Sequence, residues 1–401
     1  MQIAKLNGIA GVVISLFLVM LSCRFTAAYS SYAFIIFAIF FIGDAAFSYK
    51  KRCRFLPKVT KPFVYMALGI LALYFLFILS AVLHEDYRDI SRAVNHFALV
   101  IPFFMTWWIS AKYQVEKGIR WGILVGLAIA CAIGLYQWYL QPGIRILSSY
   151  AHPNHFGTMI NLMAPCIVYA DIKNKDKWYR ILSVIVLASA IVCLVMTRSR
   201  GALIALSASV IIGIIIIIAV FETRNFISPL VKKISIIVVA ATIIFAGLGA
   251  YYMQSGRHEV KLGGERGPMI TASIQMWEEH KMIGVGADHW EENYYGKYHP
   301  INVHEQGLSM PHNMMLYYMS TGGTLGGFGY LIYLAATIAG LYATVRKQRD
   351  YYWCLLISII FLSFFLQGMV DTTIINKIPS RMYFALMGII AGSMRFKSNL
   401  K

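Results

Sequence analysis

Long apolar segments separated by short polar ones dominate the hydrophobic pattern of this chain. Most of them are roughly 17–25 residues long, the length a helix needs to cross the hydrocarbon core of a bilayer. The pattern predicts an all-α integral membrane protein with about twelve transmembrane helices, near residues 7–26, 31–48, 62–83, 94–110, 121–140, 154–171, 181–196, 201–221, 234–252, 322–345, 353–370 and 382–394. Hydrophobic residues make up 59% of the chain and charged residues only 13%, which excludes an ordinary soluble protein.

Basic residues are concentrated in alternate connections between these spans. The net charge of +18 would by itself suit nucleic-acid binding. The Lys and Arg residues, however, fall in every second loop, in the segments 50–58, 112–120, 173–180, 224–233, 346–349 and 395–401. Basic loops mark the cytoplasmic side of a membrane protein. We therefore expect both termini in the cytoplasm and no nucleic-acid partner.

The less basic connections all fall on the opposite, outer side. The largest is a polar stretch at 253–311, between spans nine and ten. Several of its residues recur at helical spacing: Ile270, Ile274, Trp277 and Lys281. A short amphipathic helix is therefore expected just after Arg266. No internal repeat is visible, and we interpret residues 1–401 as a single membrane domain with one elaborated outer loop.

The motif TRSRGA, at 197–202, lies in the short turn between spans seven and eight on the outer side. An arginine at this rim can simply extend its side chain to the lipid headgroups. Alternatively, its planar guanidinium can bind a diphosphate through two parallel hydrogen bonds at any pH. We select Arg200 as the catalytic candidate because Gly201 follows it and permits close approach of a ligand, with Arg198 as a neighbouring substrate contact.

Arg266 lies in the sequence GGERGP, where the predicted loop helix begins. A solvent-exposed turn with an arginine–glutamate pair would also explain it. The functional interpretation is a second phosphate contact, since helix N-termini favour anions as well. Pro268 falls in the first helical turn, where proline is tolerated.

His312 is the sharpest candidate among the ten histidines of the chain. A histidine in an outer loop is usually only a surface residue. His312 differs because Pro311 precedes it and a membrane segment follows directly. Histidine titrates near neutral pH and can remove a proton from a sugar hydroxyl. We predict His312 as a general base, with Asn313 beside it as a substrate contact.

A further motif, AHPNHFG at 151–157, opens the sixth span on the outer side. Asn154 can hydrogen-bond a sugar or a phosphate, or can cap the helix. The chain contains no CxxC or HExxH pattern, so neither a metal site nor a cofactor is predicted.

The order of these motifs resembles the O-antigen ligase family, together with its O-antigen polymerase and protein O-oligosaccharyltransferase relatives. The resemblance rests on TRSRGA between two mid-chain spans, an arginine at the start of a large late loop and the HN pair at its end. The PN element at 153–154, the GVG sequence at 284–286 and the glycines after HN also fit. It covers roughly residues 151–381. Each motif is weak alone, but their order, spacing and common membrane side are more specific.

The resemblance implies a fold similar to the C-type glycosyltransferases and a site of two arginines and a histidine without a metal ion. Carried over by motif, these are Arg200, Arg266 and His312. The reaction would invert the anomeric carbon, with the arginines stabilising the departing diphosphate. Lys377 and Arg381, on the last outer loop, are expected as weaker substrate contacts.

The expected protein is a lipid A–core O-antigen ligase of the bacterial inner membrane, with a periplasmic active site. Its partners would be an undecaprenyl diphosphate-linked polysaccharide, the lipid A–core acceptor and membrane lipids. A polymerase and a protein O-oligosaccharyltransferase remain alternatives because all three share the donor chemistry. One long outer loop favours the ligase, since polymerases of this family more often have two.

Two other classes of membrane protein fit less well. A transporter of lipid-linked glycan should carry charged residues along the middle of the membrane and repeated halves. Here the charged residues cluster towards one face. A scaffold without catalytic activity would not explain why three motifs share that face.

Overall fold

The chain folds into a bundle of long helices, as the apolar pattern predicts. A computed structural model of the protein describes residues 2–23, 29–51, 54–222, 266–299, 308–348 and 350–392, with isolated positions between 240 and 247. The helices of these residues are α1 (Gln2–Ser22), α2 (Tyr29–Lys50), α3 (Lys61–Leu83), α4 (Tyr87–Phe97), α5 (Ile101–Lys112), α6 (Glu116–Leu140), α7 (Pro153–Lys173), α8 (Lys177–Met196), α9 (Arg200–Glu222), α10 (Arg266–Glu279), α11 (Trp290–Asn293), α12 (Met314–Gln348), α13 (Tyr351–Gly368) and α14 (Lys377–Gly392). Short 3-10 turns occupy Ala98–Val100 and Thr373–Ile375, and a π-helical turn occupies Tyr294–Tyr298.

The helices coincide with the predicted spans. Within the described residues, nine are long and apolar enough to cross a membrane, if α4, its 3-10 turn and α5 are taken as one. α7, which buries Thr158 and Asn161, and α14, with only 16 residues, occupy two further predicted spans. The predicted span at 234–252 lies largely outside the described residues. The chain is therefore an all-α, multi-pass membrane protein.

Aspartates begin several helices where the chain leaves a polar connection. Asp86 precedes α4, Asp176 precedes α8 and Asp350 precedes α13. In each case the carboxylate accepts a backbone N–H of the first helical turn, which would otherwise lack a partner. These caps hold the helix starts at defined positions in the bundle.

Side-chain contacts join the connections within two separate groups. On the predicted inner side, Lys112 bonds to Asp44, and Lys173 lies 2.8 Å from Asp350. On the predicted outer side, the contacts are Arg145 with Thr197 (3.1 Å), Asp89 with His289 (3.0 Å) and His312 with Asp371 (3.2 Å). Each of these contacts therefore joins connections predicted to lie on the same side of the membrane.

α12 is interrupted at Gly323, whose φ of 63° and ψ of −156° are not helical. Backbone groups freed at this point need partners inside the protein, because lipid offers none. Residues 281–286, here called the GVG turn, supply them. The hydrogen bonds run from Val285 N–H to the Ser320 carbonyl (2.8 Å), from Gly286 N–H to the Thr321 carbonyl (3.1 Å) and from Thr324 N–H to the Lys281 carbonyl (2.7 Å).

Small residues bring α3 and α12 close together on the C-terminal side of this interruption. A Cβ added at Gly329 would lie 3.2 Å from the Leu73 Cα, and one at Gly69 would lie 2.7 Å from the Ala336 Cβ. Close backbone contact of this kind is a main source of helix association in lipid. It also fixes the beginning of α12, which follows directly after His312.

A helix lies where the amphipathic loop helix was expected. Ile270 and Ile274 are 40% and 38% exposed. The buried face consists of Met269, Ala272, Ser273 and Met276. This face packs with Val285 and Trp290 in a small core of its own. Methionine and alanine supply the apolar contacts here. Residues 253–265 and 300–307 of the predicted loop lie outside the described residues.

We predict that Gly323→Ala destabilises the protein. The conformation at Gly323 is one that residues with a Cβ rarely adopt, and strain of this kind costs about 1–3 kcal/mol. The added Cβ would also lie 2.3 Å from the Met282 carbonyl oxygen. The measurement is thermal unfolding of the purified protein in detergent. Gly43→Ala is the matched control, because nothing lies within 4 Å of that position in α2. Equal melting temperatures for the two variants would contradict the role assigned to the interruption.

Candidate active site

The TRSRGA turn is held by its own hydroxyl groups. The Thr197 hydroxyl donates to the Leu194 carbonyl at 2.7 Å and accepts the Ser199 N–H at 3.1 Å. Arg198 between them has a left-handed backbone, with φ of 50°. The result is a tight turn that places Arg200 at the first position of α9 with an exposed side chain.

A third arginine joins this turn. The Arg145 Nε donates to the Thr197 carbonyl at 3.1 Å. Together with Arg198 and Arg200 it gives this corner a strong positive charge. Among the described residues, neither Arg198 nor Arg200 forms an ion pair with a carboxylate. Unpaired guanidinium groups at a helix start are suited to an anionic ligand.

The residues after Arg200 connect the turn to the end of α13. A Cβ added at Gly201 would lie 3.0 Å from the Val370 side chain. The Asn161 amide donates to the Ala202 carbonyl at 2.8 Å. Gly201 therefore permits a close protein contact, and the chain segment that begins at Val370 lies beside Arg200.

His312 also contacts this segment, through Asp371. Its Nδ1 lies 3.2 Å from the Asp371 Oδ1, and the two side chains are 30% and 7% exposed. The His312 backbone is left-handed, with φ of 51°. Such conformations are uncommon outside glycine and concentrate at functional sites. The HN motif and the TRSRGA turn are thus brought together through residues 370–371.

The charge state of Asp371 determines which nitrogen of His312 is available. Burial acts to raise the pKa of the Asp371 carboxyl. The hydrogen bond and charge of His312, the Thr372 N–H and the charge of His155 outweigh burial and lower that pKa below its ordinary value. An ionised carboxylate can only accept hydrogen bonds, so the His312 Nδ1 carries the proton. The Nε2 lone pair is then left free.

Asn313 has a structural role beside His312. Its side-chain amide donates to the Met369 carbonyl at 3.1 Å, and its oxygen accepts the Leu316 N–H at 3.0 Å. The second bond caps the start of α12. Asn313 therefore fixes His312 against the segment that contains Asp371.

The sixth-span motif contains the cap of α7. The cap of α7 is His152, whose Nδ1 accepts the Asn154 N–H at 3.1 Å. Partial burial lowers the pKa of His152, the charge of Asp371 opposes this, and the charges of Arg145 and His312 add to it. The Asn154 carbonyl accepts the Gln367 side chain at 3.1 Å. The cap interpretation thus applies to His152, while Asn154 lies in the first turn close to α13.

A cavity of about 450 Å³ opens beside the His312–Asp371 pair. Its volume lies in the range of small-molecule sites. Its wall includes Arg92, His155, Met310, Asn376, Lys377 and Arg381. The two weaker predicted contacts, Lys377 and Arg381, therefore share one polar cavity with Arg92. The Arg381 guanidinium also lies 5.2 Å from the centre of the Phe34 ring.

Arg266 is not brought to this centre by any contact within the described residues. It is the first residue of α10 and is exposed. The helix packs against α12 and the small loop core rather than against the TRSRGA turn. The structure therefore brings the segments that carry Arg200, Asn154, His312 and Asn313 together around residues 367–371, and among the described residues it shows no contact of Arg266 with them.

Sequence reasoning missed several residues of the site. Asp371 lies in the connection between the last two predicted spans, and its position on the outer side was the available signal. Arg92 and Arg145 lie in other outer connections. Another group was also missed because its members are far apart in sequence: Asp86, Asp89 and His289 place ligand atoms within 4.8 Å of one another.

The comparison with protein families gives one match. A family model described as O-antigen ligase matches residues 184–332, from α8 into α12. Within this segment are Arg198, Arg200, Arg266, His312 and Asn313. Outside it are Asp371 and the predicted contacts Asn154, Lys377 and Arg381. A search of curated proteins finds no significant match to this chain.

Proposed function

We propose that this chain, which residues 184–332 assign to the O-antigen ligase family, transfers a polysaccharide from undecaprenyl diphosphate to lipid A–core. The family consists of glycosyltransferase-like ligases and polymerases that act on polysaccharide and lipid substrates in a membrane. The observation that carries the proposal is the His312–Asp371 pair at 3.2 Å beside the arginine-rich turn. It combines a proton acceptor with a site for a charged leaving group.

In the proposed reaction an acceptor hydroxyl attacks the anomeric carbon of the donor sugar. The new C–O bond forms as the bond to the diphosphate oxygen breaks, and its electron pair leaves with the diphosphate. The hydroxyl proton passes to the His312 Nε2, while Asp371 stabilises the imidazolium through Nδ1. Attack opposite the leaving group inverts the anomeric centre.

The arginines would stabilise the diphosphate leaving group. Arg200 would bind the diphosphate, and Arg266 would contact it from the outer loop as a second clamp. Fixed positive charge stabilises the charge that develops on the bridging oxygen. With the phosphate charge met by guanidinium groups, the transfer step is proposed to use no metal ion. Arg198 and the cavity cations Lys377 and Arg381 would contact substrate more weakly.

The orientation of the protein follows from its basic loops. The site lies on the face away from the Lys- and Arg-rich connections, which we place in the cytoplasm. The active site would then face the periplasm at the inner membrane. A polymerase that uses the same donor is the second candidate, because both enzymes share the donor chemistry. Restoration of the lipopolysaccharide ladder in a ligase-deficient strain would distinguish the two.

We expect His312→Asn to reduce turnover by about 10²–10⁴-fold, the usual contribution of a general base. Asparagine tolerates the left-handed backbone at this position but accepts no proton. The measurement is in vitro transfer from a purified undecaprenyl-linked donor, with donor affinity determined separately. His280→Asn, at an exposed loop histidine, is the control and should retain activity. Wild-type turnover in His312→Asn would rule out His312 as the base, and lost donor affinity would move it to the phosphate site.

Asp371→Asn should lower turnover by roughly 10–10²-fold, because misplacement of a reacting group is costly. The amide can still accept the hydrogen bond but cannot stabilise the imidazolium. Asp176→Asn, which changes a helix cap at α8, is the matched control. The same transfer assay is used. Unchanged turnover in Asp371→Asn would mean that the 3.2 Å contact only supports folding.

Arg200→Lys keeps the charge but loses the planar fork, so we expect transfer to fall by about 10–10²-fold. The loss should appear in kcat/KM for the donor. Arg180→Lys, an exposed arginine in a predicted inner connection, serves as the control. Near-normal transfer by Arg200→Lys and by Arg200→Ala, at normal protein level, would favour the lipid-headgroup interpretation.

A further inference from the structure

Asp86, Asp89 and His289 form a cluster, here called the DDH cluster, where α4 begins beside the GVG turn. The His289 Nδ1 lies 3.0 Å from the Asp89 Oδ1, and its Nε2 lies 3.2 Å from the Asp86 Oδ2. The side chains of Asp89, His289 and Asp86 are 1%, 18% and 39% exposed. None of them belongs to the site proposed for glycan transfer.

The arrangement around the imidazole calls for a positive charge. Both ring nitrogens face carboxylate oxygens, but a neutral imidazole carries only one N–H. If Nδ1–H donates to Asp89, the Nε2 lone pair faces the lone pairs of Asp86. Two acceptors at 3.2 Å repel each other unless a cation lies between them.

Asp89 provides an independent observation. Its Oδ1 accepts the Asp288 N–H at 2.8 Å as well as the imidazole. Its Oδ2 is fully buried and has no hydrogen-bond partner among the described residues. A buried carboxylate that is only partly hydrogen-bonded is costly unless a positive charge lies nearby, so it favours a cation on the imidazole that it contacts.

The neighbouring arginines do not neutralise the carboxylates of the DDH cluster. Arg88 and Arg92 lie 3.3 Å and 3.7 Å from the Asp288 carboxylate. In the described part of the chain, neither Asp86 nor Asp89 forms an ion pair with lysine or arginine. A cleft of about 410 Å³ leads to the cluster and is also lined by Glu292.

We propose that the His289 Nε2 and the Asp86 carboxylate bind a divalent transition-metal ion of the Zn²⁺ or Mn²⁺ type, with Asp89 as the outer partner of the imidazole. Imidazole nitrogen suits these ions, whereas Ca²⁺ and Mg²⁺ prefer oxygen ligands alone. Ligands bound at about 2.0–2.2 Å in a tetrahedral site lie about 3.4 Å apart, close to the 3.2 Å between Nε2 and the Asp86 Oδ2. The Nδ1–H bond to Asp89 would orient the ring, as partners of metal-bound histidines commonly do.

The ion would fasten the GVG turn to α4. Gly286, with φ of 103°, packs so closely that an added Cβ would lie 2.3 Å from the Asp89 Oδ2. The same turn supplies the backbone partners of the interrupted helix α12. The metal ion therefore has a structural role and does not contact the diphosphate.

The first experiment measures metal binding by the full-length protein, purified without a histidine tag and treated with chelator. Zn²⁺ and Mn²⁺ are titrated against a chromophoric chelator, and one ion per chain is expected. Asp86→Asn should lower the affinity by about 10²-fold or more, at least the loss caused by removing an outer partner. Asparagine is itself a good N-cap, so α4 keeps its start in this variant. Asp288→Asn, next to His289 but outside the cluster, should bind as the wild type does.

The second experiment measures thermal unfolding with and without the ion. An ion that binds only the folded protein raises the melting temperature. The rise should occur in the wild type and Asp288→Asn and be absent in Asp86→Asn. The proposal is overturned if the wild type binds neither ion stoichiometrically, which would leave a protonated His289 between two carboxylates. It is also overturned if Asp86→Asn and His289→Asn bind as tightly as the wild type. Neither readout depends on glycan transfer, so the two proposals can fail separately.

Discussion

The interruption of α12 at Gly323 is the constraint on which the outer part of this protein depends. A break in a transmembrane helix leaves backbone groups without partners, and lipid cannot supply them. The GVG turn satisfies these groups and in doing so is bound to the bundle at 2.7–3.1 Å. The position of α12 then sets the position of His312, which immediately precedes it with Asn313 as the cap. The geometry of the candidate site is therefore set partly by a backbone contact remote from its chemistry.

The candidate site separates a histidine–carboxylate pair from its cations. Asp371 and His312 form a buried polar pair, and the arginines of the TRSRGA turn stand beside it with Gly201 against Val370. Separate cations, Arg92, Lys377 and Arg381, line the neighbouring cavity. Two anionic groups could therefore bind at the same time without one group of cations serving both.

The hydrophobic pattern was sufficient for the helices because span length and apolar content are local properties of a membrane protein. It also located His312 and Arg200 at the ends of spans, and their catalytic roles stay predictions. Side-chain partners that come from distant segments could not be predicted from this local pattern. Asp371 follows His312 by 59 residues, and His289 follows Asp89 by 200. The buried face of α10 could not be predicted from the sequence for a related reason: a short helix packed on its own small core can bury methionine and alanine while isoleucine stays exposed.

The left-handed backbone of His312, with φ of 51°, also limits how this position can change during divergence. Glycine, asparagine and aspartate tolerate such a conformation, whereas β-branched residues are strongly disfavoured. In relatives that lack the proposed proton transfer, the residue at this position should therefore still belong to that small set. The amino acid found at the corresponding position of any related chain would then distinguish a member that retains the imidazole from one that has kept only the fold.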